Sequence, residues 1–397
     1  MSAKVLDRIP SIDIYRAVTM FLMIFVNDLD GVPGVPQWLK HAGDGVDGLG
    51  LADIVFPAFL FIVGLSIPFA IKSRMIKDQS KNKTLIYILT RSFSLIFIGF
   101  LHANMETYSA TAVIKEPWWE VLVTLGFFLV WMAYPKNISK WISYTLQGIG
   151  IILLVTMCVL YKGGPPDHPT WLHLTWWGIL GLIGWAYLLC SVIYLYSNNS
   201  LLILASGWAF FLLFNLDFHF GWLSFLNGIQ NYIGMSGNGA MQAFTCAGMV
   251  ISVLLNRFAQ NKQTKLMWVA ILLISIILLN MGFIVRYFSG GISKANDTPS
   301  WVMICTAINI LVYGGFMFLI DLKHKSAWFD MVKPAGTSTL TCYLLPFLFY
   351  PLYEMTNIGY PDILTHGTGG LIKCLLFSLI MIWIAGLLEK RRLTIKI

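Results

Sequence analysis

Twelve stretches of mostly apolar residues, each about the length of a membrane-crossing helix, recur along the chain between short polar loops. They cover roughly 14–27, 52–72, 84–103, 118–135, 139–161, 174–196, 200–216, 238–256, 265–288, 300–321, 335–353 and 367–388. A helix needs about 20 such residues to cross a bilayer. Backbone groups in hydrocarbon must be satisfied within their own segment, so these stretches are expected as helices. The first and seventh are the shortest. Charged residues make up only 12% of the chain and hydrophobic ones 57%, whereas a soluble domain carries about 25% charged residues. The expected fold is all-α: a polytopic transmembrane bundle of about 12 spans, forming one membrane domain over residues 1–397.

Loop charges orient the bundle, because cytoplasmic loops collect Lys and Arg. With the N-terminus inside, all of the 27 basic residues fall in inner loops or inner ends of spans except Lys40, Lys115, Lys162, Arg286, Lys294 and Lys373. Lys4, Arg8 and Lys136 are among those counted inside. Acidic residues show the opposite bias. Removing one span would invert the later loops and destroy the asymmetry, so both termini are expected in the cytoplasm. The net charge of +8 lies in these loops rather than on a soluble face, which argues against a nucleic-acid partner. The six cysteines lie in apolar stretches without CxxC spacing, so neither a disulfide framework nor a metal centre is expected. No small-residue cleavage site follows the first apolar run before Asn27, so that run reads as a retained span.

The outer loops differ chemically from the inner ones. They are rich in Gly, Trp, His and Asp, as in Asp28-Leu29-Asp30-Gly31 and Asp217-Phe218-His219. Such residues suit a sugar-binding mouth, and the tryptophans equally suit an interfacial aromatic belt.

The stretch from Arg8 to Phe69 carries most of the candidate chemistry. Ser11 fits an N-cap, Asp13 fits the first helical turn, and Arg16 is placed to pair with Asp13 three residues earlier. Asp53 opens the second span, where the helix dipole favours a carboxylate whether it caps or binds. Asn27 closes the first span with an amide that needs a polar partner or cavity. His41 sits in the following loop and can serve as a base or nucleophile near neutral pH. Pro57 and Pro68 in span two, and Pro346 and Pro351 in span eleven, can open kinks.

The motifs Ser-Ile-Asp-Ile-Tyr-Arg (11–16), Phe-Val-Asn (25–27), Lys-His-Ala (40–42) and Ala-Asp-Ile-Val-Phe-Pro (52–57) resemble the membrane core of the heparan-α-glucosaminide N-acetyltransferase family. Weaker echoes follow at Thr298-Pro299-Ser300-Trp301 and Lys333-Pro334-Ala335-Gly336. His173–Gly181 is similar to a stretch of one bacterial branch, the DUF5009-like one. The chain departs from the pattern at Thr337-Ser338, where relatives often have Asn-Ser or Asn-Ala. The resemblance implies a transmembrane N-acetyltransferase in the bacterial cytoplasmic membrane. Its co-substrate would be cytosolic acetyl-CoA, and its acceptor an outer amino sugar or glycan. It implies His41 and Asn27 as catalytic residues. Arg16 and Arg91 are then candidates for the CoA phosphates, since Arg binds phosphate in a forked geometry. Asp28 and Asp53 are candidates on the acceptor side. A secondary transporter for amino sugars such as N-acetylglucosamine is the alternative, weakened by the lack of a visible internal repeat. The small residues Gly178, Gly181 and Gly184 can pack helices within one protomer or between two, so a homo-oligomer stays open.

Overall fold

The computed structural model describes residues 9–43, 45–77, 80–135, 138–222 and 237–397. Lys4, Arg8 and Lys136, three of the residues expected on the inner side, lie outside the described residues. Helices occupy all twelve expected positions. They are α1 (Pro10–Leu29), α2 (Ala52–Ile76), α3 (Lys81–Met105), α4 (Glu116–Trp131), α5 (Lys140–Val159), α6 (Gly178–Tyr196) and α7 (Leu201–Phe220). Next come α8 (Ala240–Gln260), α9 (Thr264–Arg286) and α10 (Pro299–Phe316), which continues through a π-helical turn at Met317–Leu322. The eleventh position is broken into α11 (Lys333–Thr337), α12 (Thr339–Leu344) and α13 (Pro346–Glu354), and α14 (Gly367–Lys390) is the last.

Among the described residues, 9 helices are long and apolar enough to cross a membrane. The protein is therefore a polytopic helical membrane protein. The other three positions fall short for visible reasons. α1 carries Asp13, Arg16 and Asp28 within its 20 residues, α4 has only 16 residues, and the eleventh position is interrupted.

Two expectations are corrected. The first and seventh stretches are not short, because each forms a helix of 20 residues. α7 continues through Asp217 and His219 before Gly221 ends it in a left-handed turn at φ 64°. Ser11 is not an N-cap but the second helical residue, because Pro10 takes the first position, which suits proline. Asp13 does pair with Arg16, at 3.2 Å.

The chain divides into two compact units, each assembled from separated segments. The first comprises Met1–Thr19, Val35–Ser92 and Leu182–Asp330. Its core gathers Tyr15, Phe61, Leu65, Ile251, Ile310 and Tyr313 from α1, α2, α8 and α10. The Tyr15 hydroxyl donates to Asn309 Oδ1 at 2.8 Å, so a phenol buried at 3% exposure is satisfied. α2 and α8 touch backbone to backbone. A Cβ at Gly64 would collide with the Thr245 carbonyl, and one at Gly248 with the Phe61 carbonyl.

The second unit comprises Met20–Gly34, Phe93–Gly181 and Met331–Ile397. Here Trp119 of α4 is fully buried and donates from Nε1 to the Met157 carbonyl of α5 at 3.0 Å. Gly178 and Gly181 pack against Gly99 of the same chain, so these two small residues serve packing within the protomer.

Candidate active site

The loop from α1 to α2 is folded around one carboxylate. Asp53, in the first turn of α2, is only 2% exposed. Its Oδ2 accepts from the backbone N–H groups of Ala42 and Gly50, both at 2.9 Å. Its Oδ1 lies 2.6 Å from His41 Nδ1. The loop can close this tightly because residue 50 is glycine: a Cβ there would collide with the Lys40 carbonyl. The Gln37 side chain donates to the His41 carbonyl at 3.1 Å and steadies the loop from the other side. The His41 side chain is 34% exposed, so one edge of the ring reaches solvent while the other is held.

Pro57 adds a second anchor. Having no N–H, it leaves the Asp53 carbonyl without its helical partner four residues on. Trp301 Nε1, from α10, donates to that carbonyl at 3.1 Å. Trp301 is fully buried and packs edge-to-face on Phe244 of α8, with ring centroids 5.0 Å apart. Trp301→Phe keeps the aromatic packing but leaves that buried carbonyl only the weak Cys305 thiol, at 4.0 Å. It is expected to cost about 1–3 kcal/mol, read as a lowered melting temperature of the detergent-solubilised protein; an unchanged value would remove this anchor.

The loop between α9 and α10 brings a residue the sequence reading did not single out. Lys294 Nζ lies 3.3 Å from His41 Nδ1 and 3.4 Å from Nε2. That loop is pinned back to the His41 loop by Asp47. Its Oδ2 meets Arg286 Nε at 2.8 Å, and its Oδ1 accepts from the Ile292 N–H at 2.7 Å. The Ile292 amide and then the Arg286 guanidinium hold the Asp47 carboxyl below its ordinary range. Thr298 caps α10, accepting from the Trp301 N–H, and also receives the Ser293 N–H at 3.0 Å. One sequence signal could have drawn attention to Lys294: it is among the few basic residues that the loop-charge count leaves outside.

Next to Lys294, Asp297 adopts a left-handed backbone at φ 49°. Its carbonyl accepts from Asn215 Nδ2 at 3.1 Å, and its Oδ2 from Asn238 Nδ2 at 3.3 Å. Burial pushes its carboxyl up to about 7, against the opposing pull of Asn238 and Lys294. A carboxyl raised in the folded state favours folding while protonated, and that contribution is lost as pH rises through about 7. Protection of the Ser293 and Thr298 amides from hydrogen exchange, corrected for intrinsic rates, is expected to fall over that window. Asp297→Asn should flatten the change; a slope that survives the substitution would assign it to another group.

The other sequence-predicted residues have separate partners. Arg16 donates to Asp13 Oδ1 and, at 2.6 Å, to Ser66 Oγ. Arg91 donates to the Tyr87 hydroxyl at 2.9 Å and lies over the Tyr187 ring at 5.0 Å, while its buried Nε has no hydrogen-bond partner. Asp28 belongs to the second unit. Its Oδ1 accepts from the Tyr350 hydroxyl at 2.7 Å, and its Oδ2 lies 3.5 Å from Lys373 Nζ. Asn27 is exposed near the C-terminal end of α1.

A carboxylate on Nδ1 selects the tautomer that keeps the proton there and leaves Nε2 with its lone pair. Once Lys294 gives up its 3.4 Å contact with Nε2, the arrangement can abstract a proton or attack an acyl carbon there, with Asp53 steadying the imidazolium.

Comparison with known proteins finds matches to parts of the chain. Heparan-alpha-glucosaminide N-acetyltransferase from Homo sapiens is 41% identical over 98 residues, covering 24% of this chain and 14% of that protein. The Mus musculus protein of the same name is 39% identical over 99 residues, covering 25% of this chain and 14% of its own length. The matched segment thus spans about one seventh of these curated relatives. A much longer match, over residues 8–217, is to the family described as "Domain of unknown function (DUF5009)". That match takes in more than half of the chain, including both the His41 loop and the start of α2, and the protein belongs to this family.

Proposed function

We propose that the protein is a transmembrane N-acetyltransferase, transferring an acetyl group from cytosolic acetyl-CoA to a glucosamine-type amino sugar on the extracytoplasmic side of a bacterial cytoplasmic membrane. The observation that carries this reading is His41, held by Asp53 at 2.6 Å with Lys294 beside it. The partial likeness to proteins named N-acetyltransferases supports it.

In this reading Nε2 of His41 takes a proton from the acceptor amine as its nitrogen bonds to the thioester carbonyl carbon. The tetrahedral intermediate collapses with cleavage of the C–S bond. CoA leaves as the thiolate and recovers the proton from His41, giving an N-acetyl sugar and free CoA. Lys294 stabilises negative charge developing on the carbonyl oxygen, and Asn27 is the other residue proposed as catalytic. Attack by Nε2 itself, through a transient acetyl-histidine, is the second route. Arg16 and Arg91 are the proposed phosphate ligands of acetyl-CoA. Asp53, with both oxygens engaged, acts as a positioning residue.

The test uses purified protein in vesicles, with labelled acetyl-CoA on one side and glucosamine on the other. Label should appear as N-acetylglucosamine. Uptake of unmodified sugar without acetyl-CoA would overturn the enzyme and favour the transporter.

Asp53→Asn probes the positioning role. The Ala42 and Gly50 N–H groups require an oxygen, which turns the new NH2 toward His41 Nδ1. That donor forces the other tautomer and removes the Nε2 lone pair. A fall in kcat of about 10² or more, with KM for glucosamine little changed, is expected. A parallel rise in KM without loss of kcat would instead place Asp53 in acceptor binding.

A further inference from the structure

The second unit contains a cleft that the reaction above does not use. It has a volume of about 270 Å³ and is lined by His102, Glu106, Glu116, Glu120, Trp176 and Tyr343, among others. His102, near the end of α3, is 7% exposed, and neither ring nitrogen has a hydrogen-bond partner. Its ring stacks on Phe347 with centroids 4.1 Å apart and meets the edge of Phe127. An imidazole buried in this way costs free energy unless something in the cleft pairs with it.

The charge around it is one-sided. Glu116 and Glu120 stand one turn apart on α4, and Glu354 is near enough to repel both. Glu106 accepts from Trp176 Nε1 at 3.0 Å, which leaves its second oxygen outside that bond. No lysine or arginine is among the described lining residues. Among the described residues, no group of three His, Cys, Asp or Glu side chains converges tightly enough to hold a metal ion. A cation held by these carboxylates is therefore broader than a bare ion. Trp176, Tyr343 and Phe347 supply aromatic surface of the kind that attracts organic ammonium groups. A volume just under the usual range for small-molecule pockets, about 300–1,000 Å³, limits the occupant to about one ring.

We propose that this cleft is a binding site for a small organic ammonium compound. Its carboxylates take the charged nitrogen, one N–H of which is left to donate to His102. The ends of α3 and α4 that form the cleft are those the loop charges place outside, so the ligand would arrive from the extracytoplasmic side. The site does not rest on the chemistry assigned to His41.

Calorimetric titration of the full-length protein in lipid nanodiscs tests it, with cyclohexylammonium as the probe and cyclohexanol as its uncharged counterpart. Cyclohexylammonium should bind at least tenfold more tightly. Glu116→Gln and Glu120→Gln should each weaken it about fivefold or more, whereas His41→Ala should leave it unchanged. Circular dichroism checks that the variants keep their helix content, and Glu106→Gln, on the loop after α3, replaces any that do not. Equal affinity for the two probes, or wild-type affinity in the glutamine variants, overturns the proposal.

Discussion

His41→Ala is expected to lower acetyl transfer by roughly 10²–10⁴-fold, the range that a positioned acid–base group supplies. The helices should remain assembled. His41 lies in a loop with one edge in solvent, and Asp53 would keep its bonds from the Ala42 and Gly50 N–H groups. The melting temperature should still fall, by the equivalent of about 1–3 kcal/mol, because the buried Asp53 Oδ1 loses its imidazole partner. The measurement is transfer of labelled acetyl to glucosamine in vesicles, at matched amounts of folded protein. Activity within threefold of wild type would sink the assignment of His41 as the reacting base. Loss of activity together with loss of fold would point to the loop rather than the imidazole, and His41→Gln, closer in size and polarity, separates the two.

The second large effect concerns the frame rather than the chemistry. Gly248→Val is expected to prevent α2 and α8 from meeting. Each helix presents a glycine to a carbonyl of the other, Gly64 to Thr245 and Gly248 to Phe61, so the contact is made by backbones that side chains cannot yield to. Overpacking a fitted core commonly costs about 1–3 kcal/mol; here the obstruction is main chain, so about 3 kcal/mol or more is expected. That is a large part of the 5–15 kcal/mol that typically separates folded from unfolded chains. The expected readout is loss of a monodisperse peak on size-exclusion chromatography and a strongly lowered melting temperature. Gly315→Ala provides the contrast, because a Cβ there meets nothing within 4 Å, and it should be neutral or slightly stabilising. Wild-type behaviour of Gly248→Val would mean that the two helices do not approach as described.

The helical architecture was largely legible in the sequence, because hydropathy and span length report directly on how a chain partitions into lipid. Every expected stretch contains helix, and Pro346 marks one of the two breaks in the eleventh. The break at Ser338 carries no such sign, since serine is tolerated within helices. The candidate site was legible only in pieces. His41 and Asp53 stand out by residue type, but their pairing depends on how Gly50 lets the loop close against the Lys40 carbonyl, which no periodicity encodes. Lys294 is 253 residues from His41. It arrives there because Asp47 ties two loops together, a relation visible only in three dimensions. Trp301 was noticed as part of a motif, while its partner, a carbonyl freed by Pro57, needed the packing of α10 beside α2.

The interrupted eleventh stretch bears on the order in which the chain enters the bilayer. Its pieces of 5, 6 and 9 residues are each far shorter than a span. Pro346 has no N–H to offer the Cys342 carbonyl one turn earlier, and an unsatisfied group in hydrocarbon costs several kcal/mol. On its own such a segment is a poor substrate for insertion from a translocation channel. Its first two pieces, α11 and α12, rest against α14, while the third, α13, rests against α4. The eleventh stretch is therefore fully packed only once the final helix has been synthesised. The two would then enter the lipid together, as a hairpin whose later arm makes the earlier one soluble in the membrane.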